Sequence, residues 1–183
     1  MANTCAICGA TINVFQSQKL ADGSYLCRKE CCKKALELGF SSIMYDCSTD
    51  PYEENIKKVA EMTKLAHSCG ATIEAELGHV GNNPTTGDAA DPSAFYTEPE
   101  QALDYATRTG VDALAIAVGT AHGAYKLPPK LDFARIREIA ETIGTSLVLH
   151  GGSGLTDDDF RKAITEGISK INIFTDINLA GAK

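Results

Sequence analysis

Residues 40–46, 72–77, 112–118, 145–149 and 170–174 are five short apolar runs rich in β-branched side chains, with a helical pattern between each and the next. The first helix is expected to open with Asp50 at the N-cap, Pro51 at the first helical position and Glu53 as the acid of a capping box. It runs to His67 and stops at Gly70. The next three run over 99–109, over 132–143 and onward from a Thr156 cap, stopping at Gly110, Gly144 and Gly167. A helix that ends in glycine and is followed closely by an apolar strand is the usual connection between parallel strands. Consecutive apolar positions, as in 113–118, mark strands covered on both faces. A (β/α)8 barrel averages about 31 residues per unit, so residues 39–183 hold nearly five units. That count fits five-eighths of a (β/α)8 TIM barrel or a five-stranded open sheet; either is an α/β chain.

The residues before this rhythm have a different character. Cys5, Cys8, Cys27, Cys31 and Cys32 fall in the first 32 positions, whereas only Cys47 and Cys69 lie beyond. Residues 1–38 hold five Lys and Arg against three Asp and Glu, while the chain as a whole has a formal charge of −7. That acidity argues against nucleic-acid binding. No apolar run reaches the length of about 18 residues that a membrane helix needs, and the start MANTCAICGA lacks the basic and apolar regions of a secretory signal. The expected location is the cytoplasm, so the cysteines are thiols or metal ligands rather than disulfides.

Cys5 and Cys8 form a CxxC knuckle, and Cys27 and Cys31, followed by Cys32, supply a second pair after 18 intervening residues. Two thiolate pairs at that separation suit one tetrahedral zinc, with the intervening chain folded as a hairpin about Asp22-Gly23. A segment this short builds little core of its own, so the metal would supply much of its folding energy. Residues 1–34 therefore divide off as a zinc-ribbon-like module, with 35–183 as the βα domain. The alternative is a set of reduced thiols. The fourth ligand is open between Cys31 and Cys32.

Chemistry-bearing residues gather at the C-terminal ends of the strands, the face at which parallel α/β architectures bind ligands. The first run ends at Asp46; the second holds Glu74 and Glu76, followed by His79. After the third comes Gly119-Thr120-Ala121-His122-Gly123, and the fourth ends in His150-Gly151-Gly152-Ser153-Gly154. The fifth leads to Asn172, Thr175 and Asp176. Two histidines and two acids at one sheet end suit a divalent metal such as zinc, although a histidine there can equally be a hydrogen-bonded structural residue. The glycine-rich loop lets backbone N–H groups approach an anion, or is a plain turn. Acids at 157–159 already occupy the next helix start, so a phosphate would sit on the loop and Thr175.

EAELG, GTAHGAYK, LHGGSG and KINIFTD, together with GFSSIMYD, resemble the strand-end motifs of the class II, zinc-dependent ketose-bisphosphate aldolases. The likeness runs from about residue 35 to the end. It implies a partial TIM barrel that cleaves fructose or tagatose 1,6-bisphosphate to dihydroxyacetone phosphate and glyceraldehyde 3-phosphate. Zinc would polarise the ketose carbonyl and stabilise the enediolate. By the same resemblance His122 and His150 bind the catalytic zinc, and Asp46 and Glu76 form a secondary metal position. Gly123, Gly151, Gly152, Ser153, Asn172 and Thr175 hold the substrate, chiefly its phosphate, and a monovalent cation lies near Gly119 and Ser153. Schiff-base chemistry would need a desolvated lysine at an active-site strand end. Lys170 is expected to start its strand, on the wrong face, and Lys126 falls in a loop.

The family begins with three further βα units, the third ending in an Asp-His-Gly motif that gives a zinc histidine and a proton-handling Asp. These 183 residues contain no Asp-His-Gly, no acidic catalytic residue is evident after EAELG, and Phe174 is bulky. Catalytic residues are therefore unassigned and weak activity is expected. The tail is expected to end just after the fifth strand. A partial barrel leaves two open edges and an apolar interior, which a second copy or another protein would cover. The alternative function is a non-catalytic zinc-binding scaffold or phosphosugar-binding remnant.

Overall fold

The computed structural model describes residues 25–78, 80, 96–122, 125 and 129–182, together with short strands at 3–4, 11–12 and 17–19, with side chains described from residue 29. Cys5, Cys8, the Cys27 side chain, Asp22-Gly23, His79, Gly123 and Lys126 lie outside what is described. Near the N-terminus β1 (Asn3–Thr4) pairs antiparallel with β2 (Thr11–Ile12), and β3 (Ser17–Lys19) with β4 (Tyr25–Cys27). Helix α1 (Arg28–Glu37) follows directly and carries Cys31 and Cys32. The buried Cys32 thiol donates to the Met44 carbonyl at 3.3 Å, fastening α1 to the first strand of the main sheet.

That sheet holds five parallel strands in the order β5 (Ser42–Met44), β6 (Thr72–Leu77), β7 (Ala113–Ile116), β8 (Ser146–Leu149) and β9 (Ile168–Ile171). Between them run α2 (Tyr52–Ser68), α3 (Pro99–Thr109), α4 (Phe133–Thr142) and α5 (Asp157–Thr165). Spatial order equals chain order. A doubly wound sheet reverses direction at a switch point; this one advances steadily, as in a barrel.

Strand parity sorts the side chains. Ile73, Ala75 and Leu77 of β6, Leu114 and Ile116 of β7, and Leu147 and Leu149 of β8 join Val59, Met62, Ala102, Tyr105, Ile136 and Ile139 from the helices in one core. The alternate residues, Glu74 and Glu76, Ala115 and Ala117, Val148 and His150, point to the opposite, concave face. Small side chains on β7 leave room over its inner surface. Lys170 on β9 uses that room, its Nζ lying 2.5 Å from Glu74 Oε2 on β6. Three strand spacings of about 4.8 Å separate β6 from β9 along the sheet, so the pair meets because the sheet curls.

Four expectations need correction. No capping box forms at Asp50: Pro51 itself is the N-cap, without a side-chain hydrogen bond, and Asp50 pairs with Lys58 Nζ at 2.9 Å. The last strand begins at Ile168 and ends at Ile171, so Asn172 and Phe174 lie beyond it. A further helix, α6 (Thr175–Gly181), occupies the tail that was read as ending after the strand. Lys170 is the third residue of its strand instead of the first, and its Nζ reaches Glu74. The ladder pairs Leu147 with Ile168 but Val148 with Lys170, so an irregularity leaves Ser169 extra and turns Lys170 inward. The Thr156 cap is present, as a full capping box with Asp159.

Candidate active site

At the C-terminal ends of the parallel strands a cavity of about 800 Å³ opens. Asp46, Glu76, His122, His150, Gly151, Ser153, Asn172 and Thr175 line it, with Met44, Ile171, Ile173 and Phe174. All four expected metal-binding residues of the βα domain are thus on one surface, with four of the six expected substrate contacts. Gly152 is not among the lining residues. Its N–H donates to the Asn172 carbonyl at 3.0 Å, so it joins the two loops instead of facing the cavity.

The loops bearing the two histidines are locked together. Gly151 has φ +70°, and a Cβ there would stand 2.4 Å from the Ala121 carbonyl oxygen, so only glycine permits this approach. The Tyr125 hydroxyl accepts from the Ala121 N–H at 2.7 Å and donates to the Gly151 carbonyl at 2.9 Å. His122 and His150 consequently face each other, ring centroids 5.7 Å apart and tilted by 42°. On the other side, the Asp176 N–H at the start of α6 donates to Ser153 Oγ at 3.2 Å, and Asp176 accepts from the Gly154 N–H at 2.8 Å. Asp46 is half-buried and accepts from the Ser48 N–H at 2.8 Å.

His150 is 4% exposed and has a carboxylate at each ring nitrogen: Glu74 Oε1 lies 2.9 Å from Nε2 and Glu76 Oε2 3.0 Å from Nδ1. Burial alone would lower its pKa, but the bonds to Glu74 and Glu76 outweigh it and raise the imidazole to about 9. Glu74 is subject to the mirror-image contest: burial pushes its carboxyl up, while His150 and Lys170 hold it below the usual range.

The donor set suits zinc in kind. Two imidazoles on one tetrahedral zinc, at a Zn–N distance of about 2.1 Å, have ring centres about 5 Å apart, close to the spacing here, and two carboxylates share the cavity. Among the described residues no three of His, Cys, Asp and Glu already converge as a cage. Taking up a metal would require one of the two carboxylates to release its ring nitrogen of His150. Sequence reasoning named Glu74 without a role, set Lys170 aside and did not single out Tyr125. Glu74 was within reach, since a residue two before Glu76 on a strand shares its face. Lys170 was hidden by the irregularity in β9.

The sequence pattern described as "Fructose-bisphosphate aldolase class-II" matches residues 26–183. The chain belongs to the class II fructose-bisphosphate aldolase family. Within this family it is 42% identical over 154 residues to the fructose-bisphosphate aldolase of Staphylococcus epidermidis, covering 84% of this chain and 53% of that one. The YdjI aldolase from Escherichia coli K12 superposes with a TM-score of 0.72 at 37% identity, over 84% of this chain and 52% of that one. Fructose-bisphosphate aldolase from Campylobacter jejuni gives 0.61 at 28% identity, over 77% and 43%. The chain spans about half the length of the curated relatives it matches. The class II aldolase match begins within β4 and takes in α1 with Cys31 and Cys32.

Proposed function

We propose that this chain carries the metal- and phosphate-binding part of a ketose 1,6-bisphosphate aldolase site, acting on fructose or tagatose 1,6-bisphosphate. The reading rests on one observation: His122, His150, Glu76, Asp46, Gly151 and Ser153 line a single cavity in a chain of this family. His122 and His150 would hold zinc, with Asp46 and Glu76 as a second position. A zinc ion there supplies Lewis-acid polarisation of the ketose carbonyl.

The chain's own residues do the rest. The Gly151 backbone, with Ser153, Asn172 and Thr175, receives the phosphate of the dihydroxyacetone phosphate half, and Gly123 would join them. Gly152 shapes that loop from behind. A monovalent cation would sit near Gly119 and Ser153. Ile173 and Phe174 form an apolar wall that keeps water from one side of the bound sugar. Lys170 is not a Schiff-base nucleophile in this scheme, because its Nζ is bound to Glu74 beneath the cavity. Residues 1–34 would form a zinc-ribbon-like module on Cys5, Cys8, Cys27 and Cys31; Cys32 is already engaged with Met44. The protein would work in the cytoplasm, with a second copy or another protein against the edges of the sheet.

The absence of an Asp-His-Gly segment from these 183 residues removes a general acid–base worth about 10²–10⁴ in rate. It also favours a second reading, a phosphosugar-binding scaffold without turnover. Cleavage of both bisphosphates by the purified chain, first with zinc and then with a chelator, separates the two. The aldolase reading predicts slow, zinc-dependent release of triose phosphate that His122→Ala abolishes. No zinc-dependent turnover by a folded sample would leave the scaffold.

A further inference from the structure

The concave face beneath the cavity holds a relay that the proposed substrate contacts do not use. Glu74 is 4% exposed and lies below the cavity; one of its oxygens takes the His150 Nε2 contact and the other the Lys170 ammonium. His150 Nδ1 points the other way, to Glu76, which does line the cavity. The two ring nitrogens are therefore inequivalent, one anchored in the interior and one presented at the site. Lys170 reaches this position only because β9 carries an extra residue opposite β8. Without it, Ser169 would face inward and Lys170 would lie against the helices. Irregularities of this kind re-aim side chains beside functional sites.

From this geometry we infer that Glu74 and Lys170 are positioning residues for His150: Lys170 fixes the Glu74 carboxylate, and Glu74 holds the Nε2–H so that Nδ1 is the nitrogen offered to a metal. The inference rests on the zinc reading above and deepens it. A carboxylate on the far nitrogen of a metal-binding histidine sets its tautomer and raises its basicity, and losing such a partner costs about 10- to 100-fold in metal affinity. Here a charged lysine steadies that carboxylate in turn, from three strands away across the curl of the sheet.

The test uses the full chain with two readouts. Zinc affinity is measured by competition with a chromophoric chelator, counting only the binding that His122→Ala removes. The His150 ring is followed by nitrogen-15 NMR in the zinc-free chain. Glu74→Gln and Lys170→Met are compared with Lys170→Arg. Lys170 is half-exposed, so its variants keep the fold, which circular dichroism checks. Expected are a weakening of zinc binding of about 10-fold or more for Glu74→Gln, a smaller loss for Lys170→Met with recovery in Lys170→Arg, and faster exchange of the His150 Nε2–H in Lys170→Met. Wild-type zinc affinity and unchanged ring signals in both Glu74→Gln and Lys170→Met would overturn the inference while leaving the zinc reading intact. Conversely, Lys170-dependent ring signals in a chain without His122-dependent zinc binding would sustain the positioning role and remove the zinc reading.

Discussion

At the foot of β7, Asp112 accepts hydrogen bonds from the His67 ring at 2.9 Å and from the Ile73 N–H at 2.8 Å. It thereby joins the end of α2 to the start of β6. Burial raises its pKa, but these two partners hold the carboxyl below the usual range. A depressed folded-state pKa stabilises at pH values above the unfolded value of about 3.9 and fades as pH falls through the folded one. Asp112→Asn should therefore lower the unfolding free energy from urea titration at pH 7, by less than about 1 kcal/mol because the pair is solvent-screened. The difference from wild type should vanish near pH 2, and a constant difference across that range would refute the assignment. At this scale Asp46, Glu76, His122 and His150 were recognisable beforehand, since each is a chemistry-bearing type at the end of an apolar run. Lys170 was set aside as the first residue of its strand, whereas β9 begins two residues earlier and an extra residue resets its register against β8. A glycine-rich loop also does not reveal which of its N–H groups the protein itself uses, here that of Gly152, which the Asn172 carbonyl takes.

Elements meet at the site through backbone contact, and this leaves little slack. The loop after β7 and the loop after β8 touch at Ala121 and Gly151, with Tyr125 bridging both. Tyr125→Phe would strand a backbone donor and an acceptor, costing about 1–3 kcal/mol. The His122–His150 spacing would loosen with it, so a lower melting temperature should come with weaker zinc binding. Loss of neither would mean the two loops are held by packing alone. Helix ends show how far local signals reach. Thr156 caps α5 as its motif implies, whereas Asp50, with an equally good motif, is drawn to Lys58 eight residues on and Pro51 takes the cap. Helix α6 was missed because its short stretch, Thr175–Gly181, has no buried residue and no strong apolar stripe.

On the scale of the whole molecule, the count of βα units could not separate a curled sheet from a flat one. Sequential strand order and the Lys170–Glu74 contact across two intervening strands make that distinction. The curled sheet ends at β5 and β9, and Phe174, Ile177 and Leu179 remain 77%, 65% and 56% exposed beside the cavity. No helix among the described residues is long and apolar enough to cross a membrane. Exposed apolar surface of this kind at the rim of a curled parallel sheet is the sort that marks interaction sites. The central claim, that one cavity joins a metal held by His122 and His150 to a phosphate held by the Gly151–Ser153 loop, does not depend on turnover. It is tested most directly by calorimetric titration of dihydroxyacetone phosphate into the chain with and without zinc. The account predicts binding that requires zinc, is abolished in His122→Ala and is weakened in Ser153→Ala. Binding of equal strength without zinc, or in His122→Ala, would contradict it.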